Sequence, residues 1–200
     1  MLRSTSYVVV AVALAAASGS LIAQSRAVPR QFDHVRPLGR ALSEFKNDRI
    51  HMVTSYSYSQ ISHDSRWLLI EFGALARTKM AIERFRIELV TPDGRLIPHA
   101  TTARVREADD LGQLLLQSAP ARSRLYWYLP YDGLCCPQNF RFGPGGVRAY
   151  AEDDSMKMDT KGPVWADLLF ESPTGSWQNG TYAVVIPYDG EEAVLPIELM

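Results

Sequence analysis

The sequence predicts an all-β protein, an antiparallel β-sandwich carrying one short helix, on three observations. Strand-length apolar runs recur along the chain, about seven to nine of them, and each is bounded by turn residues. In Phe85-Arg86-Ile87-Glu88-Leu89 apolar and charged residues alternate, as a strand with one wet face requires. Two turns are written in residues with a mechanism. In Pro92-Asp93-Gly94, Pro presets φ, Asp bonds its own backbone and Gly accepts a positive φ. Asp189-Gly190 is a hairpin dipeptide between Thr181–Tyr188 and Ala193–Leu199.

Taken in order, the chain opens as an export signal over residues 1–23. Arg3 gives the positive start, and Tyr7 to Ala17 is an apolar run too short to span a bilayer. Cleavage is expected after Ala23 or Ala27, leaving a periplasmic or secreted protein with no membrane anchor. Losing residues 1–23 removes Arg3 and no acid, so the formal charge moves only from −1 to −2. A near-neutral surface makes no case for nucleic acid or an anionic membrane. Residues 24–49 read as a basic N-terminal arm, with Arg26, Arg30, Arg36 and Arg40 around two prolines and a helical turn or two at Ala41 to Asp48. The sandwich domain is expected over residues 50–200.

Within it, strands are expected at Ile50 to Gln60, Trp67 to Leu75, Phe85 to Thr91, Arg124 to Tyr131 and Val164 to Glu171. Shorter ones are expected at Phe140 to Phe142 and Val147 to Tyr150. Ala76 to Arg84 and Glu152 to Lys161 read as polar connections. Asp109 or Asp110 offers an N-cap, and Leu111, Leu114 and Leu115 fall at i, i+3 and i+4, which makes Asp110 to Ser118 the helix. The arrangement WLLIEF…RFRIELVTPDG…LIP, then SPTGSW…GTYAVVIPYDG…LPIEL, resembles exported bacterial proteins with immunoglobulin-like β-sandwich domains of unknown function, over roughly residues 50–200. The resemblance implies the immunoglobulin-like fold and carries across no catalytic residue.

Chemistry is harder to place. Cys135 and Cys136 are the only cysteines and are neighbours. Adjacent Cα atoms lie about 3.8 Å apart, short of the ~4.4 Å at which disulfide spacings begin, so a bridge between them is strained. A vicinal disulfide stiffening the loop is the preferred reading; a disulfide-linked dimer and a soft-metal site compete with it. For the metal, Met156 and Met158 would join the two cysteines, since thiolates and thioethers select Cu(I). Glu152, Asp153, Asp154 and Asp159 lack the order of a calcium loop and read as a solvated acidic stretch. His63-Asp64-Ser65 has the residue types of a hydrolase triad, yet neighbours in a turn cannot form one. His63 or His99 would have to meet a nucleophile and a carboxylate elsewhere.

No nucleophile elbow, zinc-protease helix, phosphate loop or dinucleotide fingerprint occurs. The expectation is therefore a non-catalytic module without a cofactor, binding an envelope protein or a small ligand. Tyr126, Trp127, Tyr128, Tyr131 and Trp177 are the candidate binding surface, with pairing of a partner strand at a sheet edge as an alternative mode. Periplasmic copper handling is the competing function.

Overall fold

The computed structural model describes residues 25–62, 65–129, 136–141 and 155–200. The first strands are β1 (Val35–Pro37), β2 (Leu42–Lys46), β3 (Ile50–Ser55), β4 (Trp67–Ala76), β5 (Met80–Glu83), β6 (Glu88–Val90) and β7 (Leu96–Pro98). They are followed by β8 (Gln138–Phe140), β9 (Ser155–Met158), β10 (Val164–Glu171), β11 (Gly180–Tyr188) and β12 (Glu191–Leu199). One sheet has the order β1-β2-β3-β4-β10-β8, a second β12-β11-β6-β7, and β5 and β9 form a ribbon. Pairing is antiparallel except where β8 runs parallel to β10.

The two sheets close on one core. Met52, Leu68, Ile70, Phe72, Leu168 and Phe170 from the first meet Leu89, Val184, Ile186, Leu195 and Ile197 from the second. The second face of the six-stranded sheet is also covered, by α1 (Ser57–Ile61), α2 (Thr102–Glu107) and α3 (Leu111–Ser118). Trp67, Leu69 and Leu169 pack there against Val105, Leu111 and Leu114. A strand buried on both faces has no wet side to mark with alternating polar residues. This is why β4 and β10 read as nearly continuous apolar runs. Each large side chain so buried is worth roughly 1.5–3 kcal/mol over exposure.

Several expected elements change identity. Ala41 to Asp48 holds the strand β2, because Ser43, Glu44 and Phe45 bury against the sheet and the ladder to β3 overrides a local helical preference. The strand expected from Phe85 begins only at Glu88. Arg84–Arg86 is a 3-10 turn in which Phe85 faces solvent, and β5 occupies the supposed polar connection before it. The strand expected from Ile50 to Gln60 stops at Ser55, where the chain leaves the ladder and turns through Tyr56 into α1. Thr102–Glu107 is likewise helical, capped by Thr101.

The arm joins the fold. Val28 and Phe32 pack on the outer face of the second sheet beside Val90 and Val185, and β1 and β2 belong to the first sheet, so the sandwich starts before Ile50. Asp189 and Gly190 have φ of 43° and 82° and turn the closing hairpin as expected.

Gly73 is required by a close approach. A Cβ there would stand 2.6 Å from the Trp165 ring and 3.0 Å from Leu129. Gly73→Ala is expected to destabilise by about 1–3 kcal/mol, the usual range for overpacking, read as a lower urea midpoint with an unchanged slope. An unchanged midpoint would show that Trp165 moves aside freely.

The sheet edges are poor templates for another strand. Pro37, Pro98 and Pro196 sit in the edge strands β1, β7 and β12, and β8 has three residues. Proline removes a ladder donor, so edge pairing is not the mode this fold favours.

Candidate functional site: an aromatic face on the helical layer

Arg124 to Tyr131, expected as a strand, instead has a 3-10 turn at Leu125–Trp127. The turn changes which rings are shown. In a strand Tyr126 and Trp127 would face opposite ways, whereas here they are exposed together, 44% and 66% accessible. Their rings meet edge to face at 5.7 Å, and the Arg124 guanidinium stacks over Trp127 at 5.0 Å. Leu125 and Leu129 bury on either side against Val53, with Tyr128 half-buried beside them. The turn is thus anchored by leucines while it presents the rings.

More of the same surface is apolar. Among the described residues six large apolar side chains are exposed, and four of them, Ile61, Leu116, Tyr126 and Trp127, lie on the layer that covers the six-stranded sheet. The layer is tied internally: Tyr58 donates to Gln117 at 3.2 Å, joining α1 to α3. Ser57 and Ser123 share a hydroxyl bond of 3.1 Å, joining α1 to the aromatic turn.

Beneath that turn lies a polar row. Ser55, Glu71 and Asp167 are register partners across β3, β4 and β10, all on the helical side of the sheet. Asp167 is fully buried and Glu71 nearly so. The Arg122 Nη1 donates to both Asp167 oxygens at 2.9 and 3.0 Å. Arg141 donates to Glu71 and comes within 3.6 Å of Asp167, and the Ser123 amide donates to Glu71 at 2.7 Å. Burial pushes the Glu71 carboxyl above its ordinary range, against the pull of Ser123, Arg141 and Arg122. These groups fix Arg122 and Ser123, the two residues that lead into Arg124, Tyr126 and Trp127. They act as positioning residues for the face.

The other candidate residues fall elsewhere. Trp177 is 6% accessible and packs edge to face on Tyr182 at 5.9 Å, inside the core. Tyr131, His63, Asp64, Cys135 and residues 1–23 lie outside the described residues, as do Glu152, Asp153, Asp154 and the strand expected at Val147 to Tyr150. Cys136 is disulfide-bonded and so offers no thiolate. Met156 and Met158 are buried opposite Ile82 and Met80 across the β5–β9 ribbon and fill the core. Among the described residues no cluster of three or more His, Cys, Asp or Glu is placed to hold a metal ion. His99 is buried and stacks edge-on against Phe170 at 6.0 Å.

The residue types of the face are visible in the sequence, but not its extent. Ile61 and Leu116 read as ordinary members of their segments. Glu71 and Asp167 carry a usable signal: each is a lone acid inside an apolar strand, WLLIEFGALA and VWADLLFE. No family model, no curated protein and no solved structure matches the chain.

Proposed function

We propose that this is an exported, non-catalytic binding module that docks a protein partner through the helical layer, with Trp127 at the centre of contact. The observation that carries the reading is the gathering of Ile61, Leu116, Tyr126 and Trp127, four of the six exposed large apolar side chains described, on one layer of the fold. Trp, Tyr and Arg are the residues most enriched among binding hot spots, and Arg124, Tyr126 and Trp127 supply one of each. A protein fits better than a small molecule, because small-ligand sites are concave and none of the described cavities is lined by Ile61, Leu116, Tyr126 or Trp127. A leucine-anchored turn held by buried ion pairs also lowers the ordering cost of association. None of the described helices is long and apolar enough to cross a membrane; the export part of the reading rests on Arg3 and the apolar run from Tyr7 to Ala17.

The test places a photo-crosslinking amino acid at positions 61, 116, 127 and 85 in turn, in cells that produce the protein. One adduct of a single mass from 61, 116 and 127, and none from the exposed Phe85 position, is the expected result. Trp127→Ala should then weaken the isolated complex roughly thirty-fold, about 2 kcal/mol. Equal adducts from all four positions, or none, would overturn the reading.

A further inference from the structure

β7 is an outer strand of the second sheet, and the chain covers part of its open edge with the first residues of the arm. Ser25 bridges Arg95 in antiparallel register, and the Arg26 N–H donates to the Gly94 carbonyl at 2.8 Å. Gly94 leaves room for this approach: a Cβ there would stand 3.3 Å from the Arg26 carbonyl oxygen. The Arg26 guanidinium reaches Glu192 at 2.8 Å. Val28 and Phe32 then pack with Leu96 on Val90, Ala183 and Val185.

The parity of the ladder says what these two residues do. In an antiparallel pair, alternate residues turn their backbone groups to the same neighbour. Thr91 donates to the Arg95 carbonyl and His99 to the Ile87 carbonyl, each at 2.9 Å, so Arg95, Ile97 and His99 face β6. Gly94, Leu96 and Pro98 turn their backbone groups to the outer edge. Pro98 has no N–H to offer there, which blunts the far end of the strand. Ser25 and Arg26 cover the near end. The Arg26–Glu192 pair is partly exposed and is worth little by itself. The covered edge matters more, because bare backbone groups on an outer strand invite pairing with another chain.

Leader removal decides whether this cap survives. A leader peptidase reads small residues at the first and third positions before its cut. Ser25-Arg26-Ala27 supplies both, whereas Leu21-Ile22-Ala23 supplies only the nearer one, so local sequence favours a cut after Ala27. That cut would remove Ser25 and Arg26, free the Gly94 carbonyl and take from Glu192 its arginine. The peptidase meets the chain unfolded, so the contacts do not steer it; they identify the chain for which the fold is complete. We propose that the leader is cut after Ala23, and that the exported chain keeps Ser25 and Arg26 as the cap of β7. This processing presupposes the export proposed above and does not depend on the aromatic face.

The test is the intact mass of the protein recovered outside the cytoplasm of cells that produce the whole chain. A chain of residues 24–200 is expected, with Gln24 free or cyclised by loss of ammonia. Ala27→Leu should leave the cut where it is, and Ala23→Leu should stop or displace it. In the recovered protein the Arg26 amide should exchange with solvent at least about tenfold more slowly than in the urea-unfolded chain. A chain beginning at Val28, or anywhere but Gln24, overturns the proposal and leaves export standing. An uncut chain retained in the cell overturns both. A chain beginning at Gln24 whose Arg26 amide exchanges at the unfolded rate overturns the cap.

Discussion

Replacing Asp167 with Asn is expected to destabilise the protein by about 3–5 kcal/mol, the usual consequence of removing one partner from a buried ion pair. Asp167 has no exposed surface, and Arg122, whose side chain is 20% accessible, directs one nitrogen at both of its oxygens. Asn keeps the size and removes the charge, leaving a guanidinium under the helical layer that water reaches poorly. Urea unfolding reads the loss. The companion variant separates penalty from net contribution: Asp167→Leu with Arg122→Met removes both charges and should recover most of the stability, because a buried pair often breaks even against apolar packing. A loss below ~1 kcal/mol in Asp167→Asn would put the pair in the class of screened surface contacts. Since Arg122 and Ser123 lead directly into the aromatic turn, the single variant should also blunt the near-ultraviolet dichroism of Tyr126 and Trp127. The double variant should restore stability more fully than that signal.

The same row shows where sequence reading stops. Strands β4 and β10 and the hairpin β11–β12 are legible because burial on both faces, or a two-residue turn, leaves a local mark. β2, β5 and β9 are not. Each is five residues or fewer, and each is a strand because of its partner, β2 against β3 and β5 against β9. The 3-10 turn at Leu125–Trp127 is hidden for a related reason. Aromatic residues favour strands in general, and only the packing of Leu125 and Leu129 against Val53 decides otherwise here. Glu71 and Asp167 stand out within their strands, but their partners do not. Arg141 is 70 positions from Glu71 and Arg122 is 45 from Asp167, separations at which no spacing rule operates.

The largest pH effect is expected from His99. Burial, and then Arg84, hold its pKa down from the ordinary 6.5 to about 3. Above pH 6.5 the ring is neutral in both the folded and the unfolded chain, and it costs nothing. Below 6.5 the unfolded chain takes up a proton that the folded chain refuses until about pH 3, so stability falls with pH across that window. The slope is about 1.36 kcal/mol per unit, or about 2 kcal/mol between pH 6.5 and 5, a range that ends above the ordinary carboxylate pKa values. His51 adds a loss of the same sign, since burial lowers its pKa against the pull of Glu44. Glu71 works in the opposite direction, because its raised pKa makes the folded form readier to bind a proton than the unfolded chain. His99→Asn isolates the one group: it keeps a polar side chain at the position and cannot titrate. Its stability curve from pH 6.5 to 5 should be flatter than the parent's by about 2 kcal/mol. Parallel curves would mean that His99 takes up its proton in the folded protein as easily as in the unfolded chain, which its burial beside Arg84 and Phe170 argues against.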